Sequence, residues 1–144
     1  MYKITPFLWL NNNVEEAVHF YTSIFKNSKI ESLSSQSATF ELEGQRFMAL
    51  NGGPLFKFTE AISLFVDCTT QQEVDTLWAK LTADGGEESR CGWLKDKYGL
   101  SWQIVPSILL PLLSHPDPVK AKRVLQAMLK MKKLNIAKLQ AAAK

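Results

Sequence analysis

The chain has 144 residues, 46% hydrophobic and 22% charged, the proportions of one soluble globular domain, which exclude a disordered or fibrous protein. A chain of this length buries roughly 70% of its unfolded surface, so a core forms without staples. The two cysteines, Cys68 and Cys91, have no CxxC or Cys/His cluster around them and indicate neither a zinc site nor a secreted disulfide framework.

Lys3 to Leu10 is apolar with little helical period and breaks at Asn11, Asn12 and Asn13, which predicts a strand and a turn. Asn13 then stands as an N-cap, with Glu16 completing a capping box, and Val14, Ala17, Val18, Tyr21, Ile24 and Phe25 recur at helical spacing. Three strands are predicted next, Lys29 to Leu33, Ser37 to Leu42 and Arg46 to Leu50, the last two joined by a tight hairpin at Glu43, Gly44 and Gln45.

After Asn51, Gly52, Gly53 and Pro54 the pattern restarts. Ala61 to Val66 reads as a buried strand, and Thr70 caps a helix with Glu73 at its third position and Val74, Leu77, Trp78 and Leu81 as its apolar stripe. Asp84, Gly85 and Gly86 stop it, and strands around Glu87 to Leu94 and Leu100 to Val105 flank a turn at Asp96 to Gly99. The same order of elements at a spacing of about 55 residues argues for an internal duplication of a βαβββ unit.

The tail begins at Pro106. Asp117 followed by Pro118 caps a helix with Ala121, Val124, Leu125, Met128, Leu129 and Met131 on one side and Lys122, Arg123, Lys130 and Lys133 on the other. A last helix opens at Asn135, with Leu134 and Leu139 placed as a hydrophobic staple. Charge follows this division: residues 117–144 carry eight Lys/Arg against Asp117, a net +7, which leaves −4 for residues 1–116. The basic face is expected to dock on the chain's own acidic body or on a twin subunit, with an acidic partner or nucleic acid as the alternative. No run reaches the roughly 18 apolar residues of a membrane span and the first ten residues make no signal peptide, so neither a membrane partner nor export is expected, and the cytoplasm fits best.

The chain lacks GxGxxG, GxxxxGK[ST], HExxH and GxSxG, which removes dinucleotide, phosphate-loop and common hydrolase chemistry. Of its two histidines, His19 falls on the polar face of the first helix and His115 in a Pro-rich connector, so neither is expected to hold a metal. The richest segment is Cys91 to Pro106, CGWLKDKYGLSWQIVP. Either it forms one wall of a pocket, or Asp96 and Gly99 make a turn while Trp93 and Trp102 fill the core. Cys91 serves as a nucleophile only if its thiol is made more acidic, for which Lys95 is the nearby cation. Phe7 and Trp9 face the same concavity if the sheet curves, and an aromatic lining suits an organic ligand better than an ion.

The duplicated βαβββ pattern, with FY at Phe20 and Tyr21, resembles the vicinal oxygen chelate superfamily, which includes glyoxalase I, extradiol dioxygenases and bleomycin resistance proteins. The segments ITPFLWL, EEAVHFYTSIF, ATFELEGQRFMALNGGP, AISLFVDC and CGWLKDKYGLSWQIVP look like its PhnB-like branch, which also carries a 3-demethylubiquinone-9 3-methyltransferase description. The resemblance implies an α+β fold in which two modules, about 1–53 and 61–106, form a cupped mixed sheet, with 107–144 as a helical extension of one structural domain. Metal-dependent members take two ligands from each module, and by register those positions fall on Pro6, Ala49, Ala61 and Gln103, with Thr5 or Leu50 if the register slips by one. None of these sets restores two histidines and two carboxylates, so no metal is expected. No adenosyl-cofactor signature accompanies the methyltransferase description, and no cofactor is expected. The resulting expectation is a bacterial, cytoplasmic, metal-free homodimer that binds a small organic molecule through Trp9, Asn51, Cys91, Trp93, Trp102 and Gln103. The alternatives are an enzyme of the superfamily, using Cys91 or a recruited metal, and an interaction module built on the basic helix.

Overall fold

The computed structural model describes residues 2–144. By its internal contacts the chain divides into two compact units, one ending at Phe58 and one running from Thr59 through the tail.

The first unit places β1 (Phe7–Leu10), α1 (Val14–Ile24), β2 (Ser28–Leu33), β3 (Ser37–Leu42) and β4 (Gln45–Asn51) in chain order. Its sheet runs β1-β4-β3-β2, with β1 parallel to β4 and the other pairs antiparallel. The predicted stripe of α1 is buried, Phe25 included, and Tyr21 stacks on Phe40, which stacks on Phe47. Strand periodicity then decides what is left over: residues that alternate with these core positions lie on the opposite sheet face. The hairpin between β3 and β4 closes with Glu43 and Gly44, both in the left-handed region at φ 50° and 83°.

The expected cap of α1 is replaced. Asn13 makes no side-chain capping bond, and Asn51 Oδ1, at the end of β4, accepts from the Val14 N–H at 2.9 Å. Asn51 Nδ2 donates to the Ser35 carbonyl at 2.8 Å, so one amide ties the helix start to the β2–β3 loop.

The second unit repeats the order with β5 (Leu64–Cys68), α2 (Gln71–Thr82), a 3-10 turn at Ala83–Gly85, β6 (Glu87–Glu88), β7 (Trp93–Lys95) and β8 (Ser101–Pro106). Its sheet, β5-β8-β7-β6, matches the first, with β5 parallel to β8. The strand expected over Ala61 to Val66 begins three residues later. Its ladder with β8 runs from the Leu64–Trp102 pair to the Cys68–Pro106 pair, and Ala61 lies exposed ahead of it. The predicted cap of α2 forms: Thr70 accepts from the Glu73 N–H, and the Glu73 carboxylate reaches back to the Thr69 N–H at 2.9 Å.

The tail contributes α3 (Leu109–Leu113), α4 (Pro118–Leu129) and α5 (Ile136–Ala142). The sequence reading treats the stretch of α3 as a connector; Pro111 falls in its first turn, where its missing N–H costs no helical bond. Asp117 caps α4 and Asn135 caps α5 as expected. Leu134 and Leu139 are both fully buried and join Val105, Leu109 and Val124 in one apolar cluster. The segment between α4 and α5 is pinned to the unit by backbone bonds from Cys91 N–H to the Met131 carbonyl and from Gly92 N–H to the Lys132 carbonyl, both 2.8 Å. Gln71 at the start of α2 adds two more, to Leu134 and Ile136.

Candidate functional site

In the first unit, the sheet face opposite α1 carries Phe7 and Met48 as one cross-strand pair and Trp9 and Leu50 as the next. Phe7 is half exposed and the other three are partly covered. Trp9 is fixed on this face. Its Nε1 donates to the Gly53 carbonyl at 3.0 Å, its ring meets the edge of Phe56 at 4.9 Å, and its indole lies so close to Gly52 that a Cβ there would fall 2.2 Å from Cε2. Glycine is required at 52 because any side chain would occupy the space of the indole.

The far end of the same face is charged and internally paired. Glu41, buried, accepts from the Tyr2 hydroxyl and meets Lys29 Nζ at 3.4 Å. Arg46 Nε lies 3.6 Å from Glu31 and its guanidinium sits over the Tyr2 ring. These charges neutralise one another and leave the Phe7–Trp9 end as an apolar, aromatic shelf.

In the second unit, register places Phe65, Gln103 and Trp93 side by side across β5, β8 and β7, on the face opposite Trp102, Ile104 and Leu94. Phe65 is half exposed, and Gln103 and Trp93 are partly so. Gln103 Nε2 donates to Ser63 Oγ at 3.0 Å, just before β5 begins. Lys95, two residues beyond Trp93 on the same face, is held by Glu60 at 2.5 Å. That hydrogen bond and the opposite charge lower the Glu60 carboxyl below its usual range and raise the Lys95 ammonium.

The expected site residues separate on these grounds. Trp9, Trp93 and Gln103 lie on open sheet faces. Trp102 does not: it is 2% exposed on the α2 side, and its Nε1 donates to Asp96 Oδ2 at 2.9 Å. Asp96 is equally buried, and its Oδ1 accepts from the Tyr98 and Leu100 N–H groups, so this part of the segment is turn and core. Asn51 is spent on α1 and Ser35. Cys91 occupies a turn at φ 58°, partly exposed, and Lys95, the cation expected to act on it, is engaged by Glu60. Phe65, Ser63, Met48 and Phe56 were missed. Strand alternation reveals Phe65 only once β5 is placed at Leu64–Cys68.

A shallow groove of about 400 Å³ at the start of α1 is lined by Asn12, Asn13, Val14, Glu15, Glu16, Ser35 and Asn51, which are amides, a hydroxyl and two carboxylates with no aromatic surface. Cys68 is fully buried, and burial first, then the charges of Glu73 and Asp67, push its thiol up to about 12, which makes it inert.

The residues do not fit a divalent metal of the superfamily type. Ala49 is buried on the α1 side, one step out of register with the open face, where Met48 and Leu50 stand. Pro6 and Ala61 offer no donor, and the neutral amide of Gln103 is bonded to Ser63. Among the described residues no three His, Cys, Asp or Glu side chains lie together as a metal site needs, and His115 Nδ1 accepts from the Asp117 N–H at 2.9 Å. An adenosyl cofactor fits no better. The strand-to-helix turns are Asn11–Asn13 and Thr69–Thr70, without glycine, and the amides at both helix starts are taken by Asn51 and Thr70.

Paired βαβββ units with helix-covered and open sheet faces define a member of the glyoxalase/bleomycin resistance fold. Residues 2–105 match the profile of the 3-demethylubiquinone-9 3-methyltransferase family, and the chain belongs to that PhnB-like family. A PhnB protein from Bacillus cereus is 39% identical, with 72% of this chain and 98% of that one covered and a TM-score of 0.67. A glyoxalase-related enzyme from Fulvimarina pelagi (16% identical, 72% and 88% covered, TM-score 0.53) shares the fold. So does the fosfomycin resistance protein FosX from Listeria monocytogenes, solved with Mn(II) and sulfate (16% identical, 71% and 87% covered, TM-score 0.53). No curated protein matches.

Proposed function

We propose that this protein is a metal-independent binder of a small organic molecule that works as a homodimer, its two open sheet faces serving as ligand-contacting walls. One observation carries the reading: Gln103, at the ligand position of the last strand, is a neutral amide bonded to Ser63 and flanked by Phe65 and Trp93. Metal-dependent chemistry needs an anionic or imidazole donor there, whereas an amide between aromatic rings supplies one directional hydrogen bond within apolar contact area. The Phe7–Trp9 shelf adds the same kind of surface, with Trp9 held rigid so that little side-chain entropy is lost on contact.

Native mass spectrometry of gently purified protein tests this, as isolated and after chelation followed by zinc, nickel, manganese or iron. The expected spectrum is a dimer without metal adduct that carries an organic mass, and Trp93→Ala should lose that mass. A stoichiometric metal that returns after chelation would overturn the metal-free reading.

A further inference from the structure

The tail carries a surface that the two sheet faces do not use. It lies beyond residue 105, where the family match ends. α4 turns Val124 and Met128 into the cluster formed with Val105, Leu109, Leu134 and Leu139. On its outward side Leu125 and Leu129, one turn apart, are 42% and 51% exposed, and Val119 near its start is 63% exposed. At helical spacing Lys122 stands on the same side as the two leucines, and Arg123 and Lys130 border it. All three are exposed, as are Lys132 and Lys138 in the segments that follow. No acidic side chain occurs after Asp117. Two of the tail's cations are already engaged: Arg123 Nη2 donates to the Lys144 carbonyl at 2.5 Å, and Lys133 bonds Asp75 on α2 at 2.8 Å and so anchors the tail to its own unit.

We propose that this outward side of α4 is a peripheral docking surface for an anionic lipid bilayer. Cations in this density call for an anionic partner, and exposed leucines beside them call for one with an apolar interior within reach. A bilayer supplies both and needs no groove. An acidic amphipathic helix pairs through an apolar seam repeated over several turns, and this side of α4 offers two adjacent leucines with Lys122 beside them. Nucleic acid gains nothing from leucines, and residues 107–144 contain no Phe, Tyr or Trp ring on which a base could stack, His115 lying ahead of α4 in the connector. The missing transmembrane segment does not bear on a surface contact of this kind.

The test is co-sedimentation of the full chain with phosphatidylcholine vesicles, with and without phosphatidylserine. Binding should be at least about tenfold stronger with phosphatidylserine, and high salt should abolish it. Lys122→Glu with Lys130→Glu should reduce it by about tenfold or more. Leu125→Ser with Leu129→Ser should weaken it severalfold at unchanged charge. All four positions are exposed, and unchanged circular dichroism checks that the fold persists. Equal sedimentation with and without phosphatidylserine overturns the proposal. So does insensitivity to the leucine variants, or competition by polyglutamate that persists in them, which would mark an acidic protein as the partner.

Discussion

Asp96 ties a turn to the core of the second unit. Its carboxylate accepts from two backbone N–H groups and from the Trp102 indole while almost wholly buried, so replacement leaves buried donors without a partner. Asp96→Ala should cost about 3 kcal/mol in denaturant unfolding, and Asp96→Asn should cost less while disturbing the Trp102 contact. The two thiols should differ sharply under native conditions. Ellman's reagent should titrate Cys91 and reach Cys68 only after unfolding. Because the folded Cys68 thiol titrates near 12 rather than 9.0, its contribution to stability is complete below pH 9 and fades as the pH rises towards 12. A Cys68→Ala protein should lack that part of the alkaline loss, which paired unfolding curves across this pH range would show. Gly52→Ala should drive the Trp9 ring from its place and shift its fluorescence, with small cost elsewhere, since the obstacle is one side chain rather than backbone.

At the scale of elements, local patterns were legible where the stabilising contacts are local. The stripes of α1 and α2, the caps Thr70, Asp117 and Asn135, and the Leu134–Leu139 staple all follow from spacing and capping chemistry within a few residues. The α1 cap was not legible, because its acceptor is Asn51, 37 residues away. The β5 boundary failed for a similar reason. AISLFV is apolar throughout, and only pairing with β8 selects Leu64–Cys68. The tail offers a clean test of element docking. Leu134→Ala should destabilise by about 3 kcal/mol, as a fully buried leucine whose site is closed on several sides. Asp75→Asn should cost under about 0.5 kcal/mol, since its pair with Lys133 is exposed and screened. Hydrogen bonds from Lys133 and Gln71 depress the Asp75 carboxyl, so that small contribution is present above pH 3.8 and is lost as the pH falls.

For the whole molecule, repetition is the main fact. Two units with the same strand order, each with one helix on one face, leave two open faces that carry exposed apolar residues, Phe7 in one and Phe65 in the other. Faces of this kind mark contact surfaces, and analytical ultracentrifugation should therefore report a two-chain mass; a one-chain mass across the micromolar range would remove the dimer. The sequence by itself determined the βαβββ duplication, the helix stripes and three of the four side-chain caps expected at helix starts, because periodicity and capping are properties of residues and their near neighbours. Tertiary structure alone decided which tryptophan lies on the open sheet face and which is core. Trp93 and Trp102 stand nine positions apart in one segment, and only the pairing of β7 with β8 and the buried acceptor at Asp96 send Trp102 beneath α2 and leave Trp93 on the open face.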